Sequence, residues 1–402
     1  MDATTRRRPL AGIRVCDLTH QAAGPWCTTL LGDMGADVVK VEKPGRGDGI
    51  RYAGDVPPEV GSYNFQGLNR NKRSCAIDLQ TPRGRDLIER LALASDVLVE
   101  NLRPGVLDRY DLGYDSLAAR NPRLVYCSIT AFGPTGPLAQ APGMDLIVQA
   151  RSGLMGLTGE PGGPPIKAAP PVADITSGIY AAYGILGALL ERERSGRGQR
   201  VELAMLEAVL STFADIATNV LTLGTHYEPF GTGHPDICPY QAFRASDGWF
   251  VLACLTHAFW KRYAAAMGRE DLLADPRFHS NRDRVLHKAE FIPLLQAEFA
   301  QRERAHWLGL AERADVPACA VERIEDVLAG PQIRALGTVV ERQHPKLGGV
   351  RVVGPAVRLG ATPSRVDSLA PMLGGDTTAV LRELGVPDHE IEGLRTEGVV
   401  GG

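Results

Sequence analysis

Residues 13–42 read IRVCDLTHQAAGPWCTTLLGDMGADVVKVE, and this stretch predicts a strand, a helix and a second strand. The apolar runs at 13–18 and 37–41 have the length and the β-branched content of buried strands. Residues 26–34 predict a helix that ends at Gly35, because glycine is favoured just after a helix C-terminus. Two strands that are joined through a helix in this way lie parallel in one sheet.

The same alternation continues to about residue 130. Short apolar runs at 74–79, 96–99 and 124–129 predict three more strands. Thr81-Pro82 is typical of the start of a helix, which we expect to extend to about residue 94. We therefore predict an α/β fold in which a Rossmann-like parallel sheet carries helices on both of its faces.

Polar or flexible residues follow the predicted strands, where ligands of such folds bind. The strand ends read DLTH at 17–20, EKP at 42–44, ENLRPG at 100–105 and TAFG at 130–133. No G-x-G-x-x-G follows the first strand, and no G-x-x-x-x-G-K-[ST] occurs, which argues against the common dinucleotide and P-loop sites. The sequence therefore predicts a ligand crevice of another kind at this edge of the sheet.

The second half of the chain is less regular and richer in turns. It predicts strands at 248–253 and 348–353 and helices at 292–300, 306–313, 376–385 and 388–398. The length of 402 residues exceeds that of one typical domain. We therefore predict a large domain at 1–224 that includes linker helices, a smaller α+β domain at 225–325, and a return to the large domain at 326–402.

Composition and charge limit the partners. With 44 basic and 47 acidic side chains, the formal charge of −3 indicates neither a nucleic acid nor an anionic membrane as partner. No run approaches about 18 uninterrupted apolar residues, and no apolar segment lies near the N-terminus, so we expect no membrane span and no signal peptide. The seven cysteines lack C-x-x-C spacing, which predicts reduced thiols, no metal site and a cytoplasmic location.

Asp174 lies in the segment PPVADITSG at 170–178, ahead of apolar residues whose spacing of three and four predicts a buried helix face. Aspartate is a favoured N-cap, and both the helix dipole and the free amide donors of a first turn favour an ionised carboxylate. We therefore expect Asp174 to be a charged and well-positioned nucleophile or base. The alternative is that Asp174 only caps the helix.

Five motifs in order give the chain a resemblance to a known family. They are LTH with AGP at 18–20 and 23–25, LGDMGADVVKVE at 31–42, NRNKRS at 69–74, VENLRPG at 99–105 and SGRGQ at 195–199. Together they resemble class III CoA-transferases, the family of formyl-CoA, carnitine and bile-acid CoA-transferases that also contains α-methylacyl-CoA racemase. The resemblance extends from about residue 9 to residue 400.

The resemblance implies an activity, a nucleophile and an assembly. The family's catalytic aspartate falls on Asp174, whose carboxylate would attack an acyl-CoA thioester to give a mixed anhydride and then an aspartyl-CoA thioester. Coenzyme A is then a substrate, and no prosthetic group is expected. Succinyl-CoA is a candidate donor, but the sequence does not identify the donor or the acceptor. Family members form interlocked homodimers in which each chain threads through the other, and long helices expected at about 200–225 fit that arrangement.

The resemblance also implies the residues that bind CoA and substrate. The expected CoA contacts are Ala22, Ala23, Lys43, Ile77, Gln80, Asn101, Leu102, Arg103, Arg109, Met144 and Asp145. Lys43 and Arg109 would neutralise phosphate charge, although both could be ordinary solvated cations. Gly231, Thr232 and Gly233 align with a glycine loop that closes over the site in some relatives, and a plain linker is the alternative.

Met144 separates the functions that the family offers. The racemases carry a histidine in a Gly-His-Asp turn, whereas this chain reads Pro142-Gly143-Met144-Asp145. Methionine transfers no proton, so a two-base racemase would lack one partner, and His20 is a poor substitute because we expect it to have a structural role in the CoA loop. Many of the transferases have tyrosine here, so methionine departs from that pattern too and could pack an acyl group.

Three functional hypotheses remain open at this point. The chain is a CoA-transferase with Asp174 as nucleophile, an acyl-CoA racemase or isomerase with Asp174 as base, or a CoA-binding protein without activity. The segment at 233–243 resembles members of the family that act on dicarboxylic acids. A dicarboxylate would need a cation for its distal carboxylate, and Arg51, Arg70 and Arg73 are candidates.

Overall fold

The computed structural model describes residues 8–402. The prediction that the chain has no signal peptide concerns the N-terminal segment, whose first seven residues lie outside the described chain. The described residues cluster into two compact units. The large unit contains the chain up to Leu154, Ala168–Gly224 and Gln332–Gly402, and the small unit contains Met155–Lys167 and Thr225–Pro331. The division into 1–224, 225–325 and 326–402 stays a prediction. It differs from these units in two respects, because the small unit also contains residues 155–167 and extends to Pro331.

Strands and helices alternate one by one as far as residue 130, and after that the chain contains runs of several helices and two β-hairpins. The strands are β1 Arg14–Asp17, β2 Asp37–Glu42, β3 Lys72–Ala76, β4 Val97–Glu100, β5 Val125–Thr130, β6 Arg200–Ala204, β7 Tyr240–Ala245, β8 Gly248–Ala253, β9 Ala318–Ala320, β10 Val339–His344 and β11 Gly348–Val353. The helices are α1 Ala23–Asp33, α2 Tyr63–Leu68, α3 Pro82–Leu93, α4 Tyr114–Arg120, α5 Asp145–Arg151, α6 Leu154–Leu157, α7 Val172–Ser195, α8 Met205–Leu210, α9 Ala214–Leu223, α10 His257–Met267, α11 Glu270–Ala274, α12 Asn281–Leu286, α13 Lys288–Phe299, α14 Arg304–Arg313, α15 Ile324–Ala329, α16 Pro331–Leu336, α17 Thr377–Glu383 and α18 Asp388–Thr396.

Six parallel strands form the central sheet of the large unit, in the order β3-β2-β1-β4-β5-β6. Strand β1 lies in the middle, with Val15 beside Val38 of β2 on one side and beside Val97 of β4 on the other. The mixed α/β class and the parallel sheet confirm the sequence-based prediction. Chain order reverses at β1 and β4, which is where a ligand crevice opens in this type of sheet.

The two faces of the sheet carry separate apolar cores, as the two-residue period of a strand requires. Cys16 and Leu98 lie in a core that includes Leu87 of α3 and Ile391 of α18. The core on the opposite face contains Val15, Val97, Leu31 of α1 and Ile185 of α7, with further buried residues. Helices α1 and α7 therefore pack together on the face that carries Asp174.

Strand β6 and the segment after it correct one prediction. Long helices were expected at about 200–225, but Arg200–Ala204 forms a strand that completes the sheet beside β5. Residues 205–223 are helical, as expected, but a 3₁₀ turn at Ser211–Phe213 divides them into α8 and α9. The side chains of β6 alternate between exposed and partly buried positions, as expected for an edge strand. That pattern lacks the continuous apolar run by which the other five strands were recognised.

The small unit has an antiparallel sheet of three strands in the order β7-β8-β9. Its core contains Phe243 and Phe250 from the sheet and Phe299 from α13, with ring centroids 4.8 Å and 5.1 Å from Phe299. Helix α13 begins at Lys288 rather than at 292, so Pro293 lies inside the helix and not in its first turn.

Two helical stretches of the described chain, Val172–Ser195 and Met205–Leu223, have the length and hydropathy of membrane spans. A buried helix of a soluble protein meets the same criteria. One face of Val172–Ser195 is indeed buried in the core beside α1, through residues such as Ala181 and Ile185. The absence of a membrane span therefore stays a prediction.

Candidate functional site

The carboxyl edge of the sheet collects most of the expected CoA contacts. Lys43 follows β2, Ile77 follows β3, and Asn101 follows β4, while Ala22 and Ala23 begin α1 after β1. Because these four strands are neighbours in the sheet, their ends meet at one edge. Ile77, Ala22 and Ala23 are buried there, so their contribution to a ligand site would come from the backbone.

Reciprocal hydrogen bonds join the ends of β1 and β4. The backbone N–H of His20 donates to Asn101 Oδ1 at 2.9 Å, and Asn101 Nδ2 donates to the carbonyl of His20 at 2.9 Å. On the other side of the edge, Tyr110 Oη donates to Gln80 Oε1 at 3.3 Å. The loops that are expected to hold CoA are therefore fixed by bonds between them before any ligand arrives.

Three exposed cations lie along this edge. Lys43 Nζ is 4.0 Å from Asp78, and its side chain is 55% exposed. Arg103 and Arg109 are exposed, and within the described chain we find no ion pair for either. Weakly paired cations at the end of a parallel sheet can accept the phosphate groups of a ligand such as CoA. The expected roles of Leu102, Arg103 and Arg109 in binding stay predictions.

Two buried ion pairs stabilise the conformation of these loops. Lys72 Nζ lies 3.1 Å from Asp17 Oδ2, and Lys40 Nζ lies 3.0 Å from Asp48 Oδ2, with all four side chains almost fully buried. Asp48 Oδ1 also accepts the N–H of Gln21, whose φ of +65° is unusual for a residue other than glycine. Removing one partner of such a pair would leave an uncompensated buried charge, so these pairs fix the conformation of the loop after β1.

Asp174 is the third residue of α7 and does not cap it, which corrects the sequence-based expectation. The residue before the helix is Pro171, which offers no side-chain hydrogen bond. The cap comes from Asp145 at the start of α5, whose Oδ1 accepts the N–H of Ala173 at 2.9 Å and that of Asp174 at 3.4 Å. The free amides of the first turn are thus occupied by a second aspartate.

The expectation that Asp174 is stabilised as a carboxylate is also wrong. Burial raises its pKa to about 7 from an ordinary value of 3.8, and the negative charge of Asp145 adds to the effect. The physical reason is that the donors which would favour the ionised form already bind Asp145. Within the described chain, we find no hydrogen bond to the carboxylate of Asp174. This carboxylate is held close to a like charge without compensating donors.

Gly178, one helical turn after Asp174, allows α7 to pack closely against α1. A Cβ atom at Gly178 would lie 2.7 Å from the carbonyl oxygen of Ala23 and 3.1 Å from the backbone nitrogen of Cys27. This close approach brings the first turn of α7 near the start of α1, where Ala22 and Ala23 lie at the edge of the sheet. Asp174 is therefore connected to the expected CoA site by a direct helix contact.

The three arginines that we considered for a distal carboxylate are not available. Arg51 forms a fully buried pair with Glu42, and Arg70 forms a buried pair with Asp33. Arg73 forms ion pairs with Asp37 and Glu383. It lies near the start of β3, away from the carboxyl ends of the strands where CoA is expected. Sequence patterns show which residues are cationic but not which of them already have an internal counter-ion, so this hypothesis was wrong.

Met144 precedes α5 and is 64% exposed in the chain. It lies next to Asp145, so it is close in sequence to the group that caps the Asp174 helix. Its thioether offers no proton to a reaction. Asp145 uses both carboxylate oxygens inside the protein, since Oδ2 accepts a hydrogen bond of 2.6 Å from Gln149. The expected contact of Met144 and Asp145 with CoA stays a prediction.

The glycine loop at 231–233 belongs to the small unit. The N–H of Gly231 donates to the carbonyl of Gly159 at 2.8 Å, and Thr232 Oγ1 accepts the N–H of Ala242 at 3.2 Å. Gly231 has a φ of +60°, and a Cβ there would lie 2.8 Å from a Glu160 oxygen. The loop is therefore ordered by its neighbours in this unit, and its role over the active site stays a prediction.

Two residues of this region escaped the sequence analysis. Gln149 is fully buried and binds Asp145, and Gln21 has an unusual backbone conformation at the end of β1. The spacing of four residues between Asp145 and Gln149 was a usable signal, since side chains so spaced meet on a helix. Nothing in the sequence indicated the conformation of Gln21. Among the described residues, no group of three or more His, Cys, Asp or Glu side chains could hold a metal ion.

Comparisons with known proteins show the family to which the chain is similar. The family described as CoA-transferase family III matches residues 10–377. Succinyl-CoA:glutarate CoA-transferase from Mus musculus is 36% identical over 394 residues, which cover 98% of this chain and 90% of that protein. Succinate–glutarate CoA-transferase from Agrobacterium fabrum is 39% identical over 391 residues, which cover 95% and 97%. The crystal structure of a CaiB/BaiF family protein from Brucella suis has a TM-score of 0.84 and 38% identity, and the match covers 94% of this chain and 100% of that one.

Proposed function

The chain belongs to CoA-transferase family III, and from this premise we propose that it moves CoA from succinyl-CoA to a second carboxylic acid, with Asp174 as the covalent nucleophile. The observation that supports the proposal is the position of Asp174, one helical turn before Gly178, where α7 approaches Ala23. Ala23 lies at the edge of the sheet from which the loops that we expect to bind CoA extend. Relatives that are named for succinyl-CoA and glutarate support a dicarboxylic acid as acceptor.

The reaction needs only groups that the substrates and Asp174 supply. A carboxylate oxygen of Asp174 bonds to the thioester carbon, and the carbon–sulfur bond breaks so that CoA leaves as thiolate with the electron pair. The thiolate then attacks the Asp174 carbonyl carbon and releases the donor as its carboxylate, which leaves an aspartyl-CoA thioester. The acceptor carboxylate repeats these two steps in reverse order, so the free carboxylate of Asp174 returns with no net gain or loss of protons.

The environment of Asp174 suits this chemistry. A carboxylate without hydrogen-bond donors is less stabilised than one in water, so its oxygen is a stronger nucleophile. Partial burial also limits the access of water to the anhydride, whose hydrolysis would waste the thioester. We propose that the exposed cations Lys43, Arg103 and Arg109 bind the phosphates of CoA.

An exchange assay tests the proposal. We would incubate the protein with succinyl-CoA and, in separate samples, glutarate, other dicarboxylates and monocarboxylates of matched length, and follow new CoA thioesters by mass spectrometry. Formation of glutaryl-CoA or another dicarboxylyl-CoA with release of succinate is the expected result. Absence of exchange with every acid, from a folded sample that binds CoA, would refute the proposed function.

The raised pKa of Asp174 predicts how the rate depends on pH. Asp174 reacts as carboxylate, so kcat/KM for succinyl-CoA should fall about tenfold per pH unit below about 7 and level off above it. In an Asp145→Asn variant the like charge is removed, so the midpoint of the pH–rate profile should move to lower pH. Burial of Asp174 should still keep this midpoint above pH 3.8. Initial rates between pH 5 and 9 measure both. A midpoint that stays in place in this variant would contradict the assigned influence of Asp145.

The exposed cations predict a binding effect that depends on the phosphates of CoA. Arg109→Gln and Lys43→Gln should each raise KM for succinyl-CoA about three- to tenfold with little change in kcat. A succinyl thioester of pantetheine, which lacks the nucleotide, should show no difference between the variants and the unaltered protein. Lys346→Gln removes an exposed cation from the turn after β10 and is the matched control. Equal effects with both thioesters would contradict phosphate binding by these residues.

A racemase or isomerase remains the second candidate because a pKa near 7 is also suitable for a general base. In that case Asp174 would remove the α-proton of an acyl-CoA and return it to the other face or to a neighbouring carbon. Met144 stands where a second base would be needed. Uptake of deuterium at the α-carbon of an acyl-CoA in heavy water, without exchange of CoA between acids, would favour this function.

We also propose that the protein is an interlocked homodimer in the cytoplasm, without a nucleic acid or membrane partner. Support for a dimer comes from large apolar side chains that are exposed on α7, α8 and α9. They are Ile179 (50% exposed), Tyr183 (74%), Leu190 (60%), Leu210 (42%), Leu221 (85%) and Leu223 (73%). Apolar surface of this extent usually contacts a partner. Sedimentation velocity should give a dimer, and a stable monomer at micromolar concentration would contradict it.

A further inference from the structure

Gln149 connects two segments that meet at the start of the nucleophile helix. Its Nε2 donates to Asp145 Oδ2 at 2.6 Å, and its Oε1 accepts the N–H of Ala168 at 2.9 Å. The side chain is fully buried. Ala168 is the first residue of the segment that leads into α7, and Asp145 is the group that caps α7. One amide therefore holds both the entry to the helix and its cap.

The partners allow only one orientation of this amide. The carboxylate of Asp145 can only accept a hydrogen bond, so the NH₂ group of Gln149 must face it. The N–H of Ala168 can only donate, so the carbonyl oxygen of Gln149 must face it. A rotation of the amide by 180° would break both bonds at once. The network from Ala168 through Gln149 and Asp145 to Ala173 thus has a single arrangement.

We propose that Gln149 is a positioning residue for the reaction of Asp174. By fixing the Asp145 carboxylate on the amides of Ala173 and Asp174, it gives the first turn of α7 one position and directs the Asp174 side chain toward the substrate. The inference rests on the proposed function of Asp174. Gln149 itself does not touch the reacting atoms, and its effect passes through Asp145.

An ordinary buried glutamine would behave differently. Its loss would lower the stability of the fold but leave the rate per folded molecule and the titration of Asp174 unchanged. Loss of a positioning residue lets Asp145 rotate toward solvent, since Asp145 is only partly buried. The freed amides could then bind the Asp174 carboxylate and favour its ionised form. Misplacement of a reacting group by about 1 Å can lower a rate by about 100-fold.

The first part of the test removes and then restores the network. Gln149→Met removes both bonds at similar side-chain length, and Asp145→Asn places two NH₂ donors against each other. The double change Asp145→Asn with Gln149→Glu exchanges the donor and the acceptor between the two side chains, so that every hydrogen bond of the network can form again. The negative charge then lies on residue 149 instead of residue 145. We expect each single variant to lower the rate of CoA transfer about tenfold or more, and the double variant to return within about threefold of the unaltered protein.

The matched control is Gln66→Met. Gln66 is also almost fully buried, and it also bridges two backbone groups, the carbonyl of Val60 and the N–H of Ala370. It lies away from α7, so this variant should lose stability and keep both the rate per folded molecule and its pH profile. A rate for Gln149→Met within twofold of that of Gln66→Met would overturn the proposal, as would a double variant no faster than Asp145→Asn alone.

A second measurement separates this inference from the proposed function. The difference in melting temperature between each protein and its Asp174→Asn form, followed from pH 5 to 9, reports the titration of Asp174 without any reaction. We expect Gln149→Met to move this titration to lower pH and Gln66→Met to leave it in place. If the protein transfers no CoA, the proposed function fails, while an unmoved titration in Gln149→Met refutes the positioning role on its own.

Discussion

Replacement of Asp174 by asparagine is expected to lower kcat for CoA transfer by about 10³-fold or more. The amide keeps the size of the side chain but cannot form the anhydride, so every covalent step is lost. Binding of CoA should change little, because the cations and loops at the strand ends are untouched. The measurement is the steady-state rate of CoA exchange, with the affinity for CoA determined in parallel by calorimetry.

At alkaline pH the Asp174→Asn variant should be more stable than the unaltered protein. Its stability therefore also shows whether the variant has folded. The folded protein holds a proton on Asp174 up to about pH 7, whereas an unfolded chain loses it near 3.8. The stabilising contribution of the protonated group is therefore lost as pH rises through this window. At pH 8 the change to asparagine should stabilise the fold by roughly 1–3 kcal/mol, and at pH 4 by almost nothing. An active variant, or one that is less stable at pH 8, would contradict the description of Asp174.

Replacement of Gly178 by alanine is expected to destabilise the fold by about 2–4 kcal/mol. The new methyl group would lie 2.7 Å from the carbonyl oxygen of Ala23 and 2.9 Å from the ring of Trp26. Backbone atoms of α1 cannot move aside as a flexible side chain can, so α7 must shift away from α1. Because Asp174 lies one turn earlier, the rate per folded molecule should fall as well. Chemical denaturation and exchange kinetics measure the two effects.

Gly393→Ala on α18 is the matched control, because α18 lies outside the apolar surface that we propose for the dimer. Nothing lies within 4 Å of the position that its Cβ would take, and its backbone is helical. Alanine has the higher helix propensity, so this change should stabilise the protein by up to about 1 kcal/mol. Similar stabilities for Gly178→Ala and Gly393→Ala would show that α1 and α7 do not make the close contact described here.

The central sheet was largely predictable because its strands are buried on both faces. Continuous apolar runs gave five of the six strands to within a few residues, and Thr81 indeed caps α3 by accepting the N–H of Gly84. Strand β6 escaped because it lies at the sheet edge and alternates in exposure. The hydrophobic pattern of an edge strand is weak. Only the folded sheet shows that β6 pairs with the side of β5 that β4 does not occupy.

The sequence named a candidate nucleophile, but it did not predict the electrostatic environment of that residue. The family motifs and the helix pattern both pointed to Asp174, yet the cap of its helix comes from Asp145, 29 residues earlier in the chain. Contacts between distant segments decide which amide donors remain free, and no local pattern reports them. The same limit explains Arg51, Arg70 and Arg73, whose internal partners only the folded chain reveals.

The central claim is that Asp174 forms a covalent bond to CoA or to the acyl group during transfer. The most direct test is to mix the protein with succinyl-CoA alone, trap with hydroxylamine, and map the modified peptide by mass spectrometry. We expect a hydroxamate at Asp174 and none in the Asp174→Asn variant. Transfer of CoA by the unaltered protein without any modification of Asp174, or with modification of another carboxylate, would contradict the account.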